Sequence, residues 1–194
     1  MKRRIRAHHL ILWLSFSAIA GFSLVAHAGK AEESEEARDF KTFIGRVQAY
    51  VKLQKNLEAS LSALKPTKDA ERIVEHQSAL AEKIIDARRD ARQGDIFTPE
   101  VAKRFRKIIR KAFHGPEGRM ARKTILSESA HRPVVLHVNE MYPDDMPLTT
   151  TPPTLMLKLP ELPPEVGYRI VGHSLTLQSI KARLVLDLIP NAIP

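Results

Sequence analysis

Six cations lie within nine residues of this chain: Lys103, Arg104, Arg106, Lys107, Arg110 and Lys111. On a helix they fall opposite Phe105, Ile108 and Ile109, which makes a basic amphipathic helix. Helices of that kind bind anionic lipid surfaces, nucleic acid or acidic polymers. The competing reading is the solvated outer face of a packed helix. From Val101 to Lys123 there are nine Lys or Arg against one acid, Glu117. Few aromatics interleave these charges, so base stacking has little support and nucleic acid is not the expected partner. Like charges this dense repel one another unless they are countered. Glu75, Glu82 and Asp86 are candidate internal counter-charges.

Other chemistry is sparse. The chain has no cysteine, so it has no disulfide, no thiol nucleophile and no lipidated cysteine. There is no Gly-x-Ser-x-Gly elbow, and the eight glycines form no phosphate-cradling loop. The histidines after the first 28 residues, His76, His114, His131, His137 and His173, form no His-x-x-x-His pair. Glu128 and His131 have the Glu-x-x-His spacing of a di-metal bundle. Such a site needs a second pair and two more carboxylates, so a polar helix end before Pro133 is the simpler expectation. Asp144 and Asp145 are candidate acid/base carboxylates, but adjacent side chains normally point apart, and a solvated turn between Pro143 and Pro147 is the expectation. Arg169 and Asp187 are expected in neighbouring strands as a cross-strand ion pair. No catalytic, cofactor-binding or metal-ligating residue is expected.

The elements that position these residues begin after an N-terminal segment of separate meaning. Lys2, Arg3, Arg4 and Arg6 form a basic region, Leu10 to Val25 is apolar and uncharged, and Ala26-His27-Ala28 offers small residues at the two recognition positions of a signal peptidase. Residues 1–28 are therefore expected to be a cleaved export signal leaving Gly29 first, and the protein to be periplasmic or secreted. The alternative is an uncleaved membrane anchor, since the apolar run is near the lower limit of roughly 17 residues for a spanning helix. Arg6 interrupts a twin-arginine pattern. Removing the four basic residues of this segment from the formal +9 leaves +5. Any electrostatic partner then meets one segment of the chain.

Residues 29–130 read as helical. A first helix is expected from the acids Glu32 to Glu36, with the stripe Phe40, Phe43, Ile44, Val47, Tyr50, Val51, Leu57, Leu61 and Leu64, ending at Pro66. A second, capped by Thr67, carries Ala70, Ile73, Val74, Leu80, Ala81, Ile84 and Ala87 inward and stops at Gly94. The two are expected to form an antiparallel hairpin. Thr98-Pro99-Glu100 starts a third helix with Val101, Ala102, Phe105, Ile108, Ile109 and Ala112 inward. His114-Gly115-Pro116 breaks it before a shorter fourth helix with Met120, Ile125 and Leu126. Residues 131–166 are a proline-rich connector. Within it Pro133 to Val138 form a candidate strand, and Leu155, Met156, Leu157 and Leu159 are expected against the helices. Residues 167–194 alternate as a three-stranded antiparallel meander turning at Gly172-His173, with Leu175/Leu177 and Leu184/Leu186/Leu188 on its buried face. Three strands alone bury too little, so the expected fold is α+β, with the sheet packed on the helices.

Five segments carry a resemblance: Gly94-Asp95-Ile96-Phe97-Thr98-Pro99-Glu100-Val101, Thr151-Pro152-Pro153-Thr154-Leu155, Leu159 to Pro164, Tyr168-Arg169-Ile170-Val171-Gly172, and Leu186-Asp187-Leu188-Ile189-Pro190. From Asp95 to the end the chain resembles an uncharacterised family of exported bacterial proteins. The resemblance implies export and a common architecture, and carries over no activity, ligand or site residue. The expected function is a non-enzymatic interaction protein with a basic helix facing an anionic envelope component (lipid head groups, lipopolysaccharide phosphates or acidic glycan) or a protein. The alternative is an enzyme or small-ligand carrier whose site assembles from distant residues. A concave pocket with convergent polar groups would favour that alternative.

Overall fold

A computed structural model describes residues 22–64, 66–129, 135–142 and 151–194. The chain divides into two compact units, Met1–Glu35 and Glu36–Pro194. No helix among the described residues is long and apolar enough to cross a membrane.

The protein is α+β, with helices preceding a small three-stranded antiparallel sheet. Helix α1 runs over Phe22–Ala59. It begins ten residues before the acidic stretch, where no proline interrupts the upstream sequence. It ends well before Pro66, where the Ser60 hydroxyl donates to the Leu57 carbonyl at 2.6 Å and satisfies one of the unpaired carbonyls of the last turn. Helix α2 spans Ala70–Ala87 and is capped by Asp69, not Thr67. The Asp69 carboxylate accepts from the amides of Glu71 and Arg72, and the Thr67 hydroxyl accepts from the Asp69 amide. Only the second half of α2 is buried, through Leu80, Ala81 and Ile84, while Val74 is 58% exposed. The helix stops at Arg88, six residues before Gly94. Lys55 to Leu61 lie beside Ile73 to Gln77, and Arg46 and Tyr50 lie beside Arg88 to Asp95, so α1 and α2 run antiparallel.

Helix α3, Pro99–Ala112, starts as its sequence predicts, with the Thr98 hydroxyl accepting from the Val101 amide. Helix α4, Gly115–Ser129, is a residue longer than α3, not shorter. The break between them is a corner. Gly115 has φ +88°, open to glycine at little cost, and a Cβ on Gly118 would lie 2.6 Å from the Ala112 carbonyl oxygen. Ile125 of α4 is buried, whereas Met120 points to solvent at 73% exposure.

In the connector, a short helix α5 (Pro153–Met156) buries Leu155, and Leu159 is buried beyond it; Met156 and Leu157 are exposed. Val135 to His137 form no strand; Pro133 and Val134 lie outside the described residues. Pairing starts at Asn139, whose amide donates to Val185, and continues with a Met141–Leu184 bridge. Asn139, with φ 68°, donates from its side chain to the carbonyls of Ile85 and Arg88 and so closes the end of α2.

Strands β1 (Val166–Val171), β2 (Ser174–Ser179) and β3 (Val185–Ile189) pair in sequence order. Thr176 faces Leu188 and Leu177 faces Asp187, but Gln178 faces Val185. The register skips Leu186, a one-residue slip of the kind that reverses which side chains face inward. Leu186 joins the main core with Leu175, Leu177 and Leu184, while Leu188 turns to a second cluster with Tyr142, Val171 and Val185. The expected single face of Leu184, Leu186 and Leu188 is therefore split. One core joins helices and sheet. Phe43 of α1 stacks on Phe97 at 5.3 Å between centroids, and Phe105 of α3 contacts Phe43, Phe97 and, at 5.8 Å, Tyr168 of β1. Such pairs contribute about 0.5–1.5 kcal/mol each beyond area burial.

Candidate functional site

The register slip turns Asp187 inward, where it is fully buried. Its carboxylate has four backbone donors. Oδ1 accepts from the amides of Gly94 at 2.9 Å and Leu188 at 2.8 Å. Oδ2 accepts from Ile96 at 2.8 Å and Phe97 at 2.7 Å. Gly94, with φ +95°, presents its N–H to this carboxylate instead of ending α2. Asp187 thus holds the loop that delivers Thr98, the cap of α3. The expected Asp187–Arg169 pair does not form, because β2 separates the two strands and Arg169 stands opposite Thr176.

Arg88 flanks the latch. It donates to the Leu186 carbonyl at 3.0 Å, and its guanidinium lies 5.4 Å from the centroid of the Tyr50 ring. Burial lowers its pKa, opposed by Tyr50, Asp187 and Asp95. Burial pushes the Tyr50 phenol up to about 12, against a hydrogen bond with Ser179 and the charge of Arg88. Burial raises Tyr168 far above the usual phenol range and raises Tyr142 against the nearby charge of Arg169.

Residues 94–101, 151–155, 159–164, 168–172 and 186–190 contribute to this latch and the aromatic core. Besides the Asp187 contacts, the Thr151 hydroxyl donates to the Tyr168 carbonyl at 3.3 Å, and the Tyr168 hydroxyl donates to Pro160 at 3.1 Å. Arg106 donates to the Pro190 carbonyl at 3.2 Å. These contacts hold the segments together.

The six cations of α3 divide into two sets. Arg104 is drawn inward, paired with Asp39 of α1 at 3.0 Å with its side chain 14% exposed. Arg106 is half-buried on Pro190. Lys103, Lys107, Arg110 and Lys111 are exposed, within an arc of roughly 100° at 3.6 residues per turn. Among the described residues, Lys103, Arg110 and Lys111 have no ion-pair partner. Asp86 pairs with Arg89 instead, and neither Glu75 nor Glu82 reaches the basic face. On α4, half-buried Arg122 donates to the backbone oxygen of Pro194, leaving Arg119 and Lys123 exposed. The inward set is all arginine, whose rigid fork suits a fixed acceptor. Four of the six outward cations are lysine.

Two clefts lie elsewhere. One, of about 610 Å³, is lined by Lys55, Glu58, Leu61, Ile73, His76 and Lys181, among others. Its charges are already paired, Lys55 with Glu165 at 2.7 Å and Lys181 with Glu58. The other, of about 470 Å³, includes Arg46, Tyr50, Arg88, Asp90 and Asp95. Neither includes a cation of α3. Among the described residues no three His, Asp or Glu side chains gather as metal ligands. His131, Asp144 and Asp145 lie outside the described residues.

Compared with known proteins, the chain matches no family model, no curated protein and no solved structure. Its geometry therefore carries the functional argument alone. Sequence reasoning missed the role of Asp187. The signal available was the isolated acid in the apolar run Leu184 to Ile189, since a charge in such a run is tolerated only with partners.

Proposed function

We propose that this is an exported, non-enzymatic interaction protein, related to the uncharacterised exported family it resembles, whose α3 face docks on an anionic partner. The observation that carries the reading is the division of the six cations. Arg104 and Arg106 are used by the fold, while Lys103, Arg110 and Lys111 stand in solvent with no ion-pair partner among the described residues. Like charges left unpaired on one face are destabilising in isolation, and that cost is offset when an anionic surface meets them. The paired charges of the larger cleft argue against a small-ligand carrier acting there.

The test is retention on an acidic polysaccharide matrix and co-sedimentation with vesicles containing anionic lipid, each against a neutral control. Binding is expected at low salt, weakening as added salt shortens the Debye length below about 10 Å. A Lys103→Gln, Arg110→Gln, Lys111→Gln variant is expected to lose the salt-sensitive component and to unfold at the wild-type temperature. Wild-type protein that distinguishes neither anionic material from its control refutes the reading. Export is tested separately. N-terminal sequencing of the processed chain is expected to begin at Gly29, and intact Met1 in the membrane fraction would replace export with anchoring.

A further inference from the structure

Resting on that reading, we propose that the partner is an anionic lipid bilayer, and that α3 and α4 together form the face that meets it, with Met120 entering the interface. Both helices are tied to one underlying segment, α3 through Arg106 on Pro190 and α4 through Arg122 on Pro194. Ala192 and Ile193 between those points are buried. The close approach of Gly118 to Ala112 and Phe113 fixes the corner. We assign the exposed residues of both helices to one docking face. It carries Lys103, Lys107, Arg110 and Lys111 from α3 and Arg119 and Lys123 from α4. The acids of the two first turns are Glu100 and Glu117.

Two features favour a bilayer over an acidic polymer. Met120 is a large apolar side chain held 73% in solvent, with Arg119 before it and Lys123 one turn later, the pairing of apolar anchor and cationic rim that interfacial helices use. The outward cations are mostly lysines, whose long stems lie along a lipid surface while the ammonium stays with the head groups.

The absence of cysteine makes the test specific. Met120→Cys, labelled with an environment-sensitive fluorophore, reports on that position whatever the apolar run Leu10 to Val25 does. Vesicles of phosphatidylglycerol and phosphatidylcholine are expected to raise and blue-shift the emission; pure phosphatidylcholine vesicles and dextran sulfate are not. Adding the three Lys/Arg→Gln changes is expected to weaken the response roughly a hundredfold, since each cation near an anionic surface contributes up to about a factor of five. An emission that stays unchanged with anionic vesicles while salt-sensitive binding persists overturns the bilayer proposal and leaves the basic-face reading standing. A response as large with dextran sulfate assigns the surface to acidic polymers. Loss of all salt-sensitive binding removes both.

Discussion

Replacing Asp187 with Asn tests the latch that places α3. The carboxylate has two oxygens, each accepting two amides: Gly94 and Leu188 on one, Ile96 and Phe97 on the other. An Asn side chain keeps one acceptor oxygen and sets an NH2 group in place of the other. Whichever way it turns, two buried backbone donors then face a donor. Each unsatisfied buried donor costs about 1–3 kcal/mol, so Asp187→Asn is expected to cost about 2–6 kcal/mol. Asp187→Ala, which strands all four donors, is expected to cost more. Against a total stability of about 5–15 kcal/mol this is a large fraction. Urea denaturation followed by circular dichroism measures the loss, and hydrogen exchange locates it at the amides of Gly94, Ile96 and Phe97. Asp86→Asn is the control: its side chain is 78% exposed and pairs only with Arg89, so the expected change lies within about 0.5 kcal/mol. An Asp187→Asn protein within 1 kcal/mol of wild type, with those three amides still protected, would refute the latch.

Two further outcomes follow from burial and from backbone space. All three tyrosines, Tyr50, Tyr142 and Tyr168, have raised pKa values in the folded chain, whereas in the unfolded chain they ionise near 10. Folding therefore favours the neutral phenols, so their contribution to stability is full below about pH 10 and is lost as pH rises through the folded values. Absorbance at 295 nm is expected to show at most about one of the three phenols ionised at pH 11 in the native protein, Tyr50 and Tyr168 staying neutral until unfolding; a native titration of all three centred near pH 10 contradicts this. Gly118→Ala is expected to destabilise by about 1–3 kcal/mol by forcing a Cβ onto the end of α3. Gly45→Ala, with open space around it in α1, is expected to stabilise by about 0.5–1 kcal/mol. Equal effects at the two glycines in urea melts would contradict the corner.

The amino-acid sequence by itself determined the elements whose causes are local. Thr98-Pro99-Glu100 starts α3 because the cap, the fixed proline φ and the acid all act within one turn. The period-two runs after Gly167 determine three strands, and the need to bury them determines that they pack on helices. The clustering of cations opposite Phe105 and Ile109 determines an amphipathic α3. Tertiary structure decided what depends on register and on distant partners. The skip at Leu186 sends Asp187 inward and Leu188 to the other face, and no local propensity distinguishes that pairing from its one-residue neighbour. Gly94 looked like a helix stop because its φ > 0 preference is local, but its use as a donor to Asp187 spans 93 residues. The division of the basic helix into Arg104 and Arg106, held by Asp39 and Pro190, and the solvent-facing Lys103, Arg110 and Lys111 follows from which acceptors the fold brings alongside. A helical wheel orders side chains by angle, whereas partners far along the chain decide which charges are spent on the fold and which face solvent.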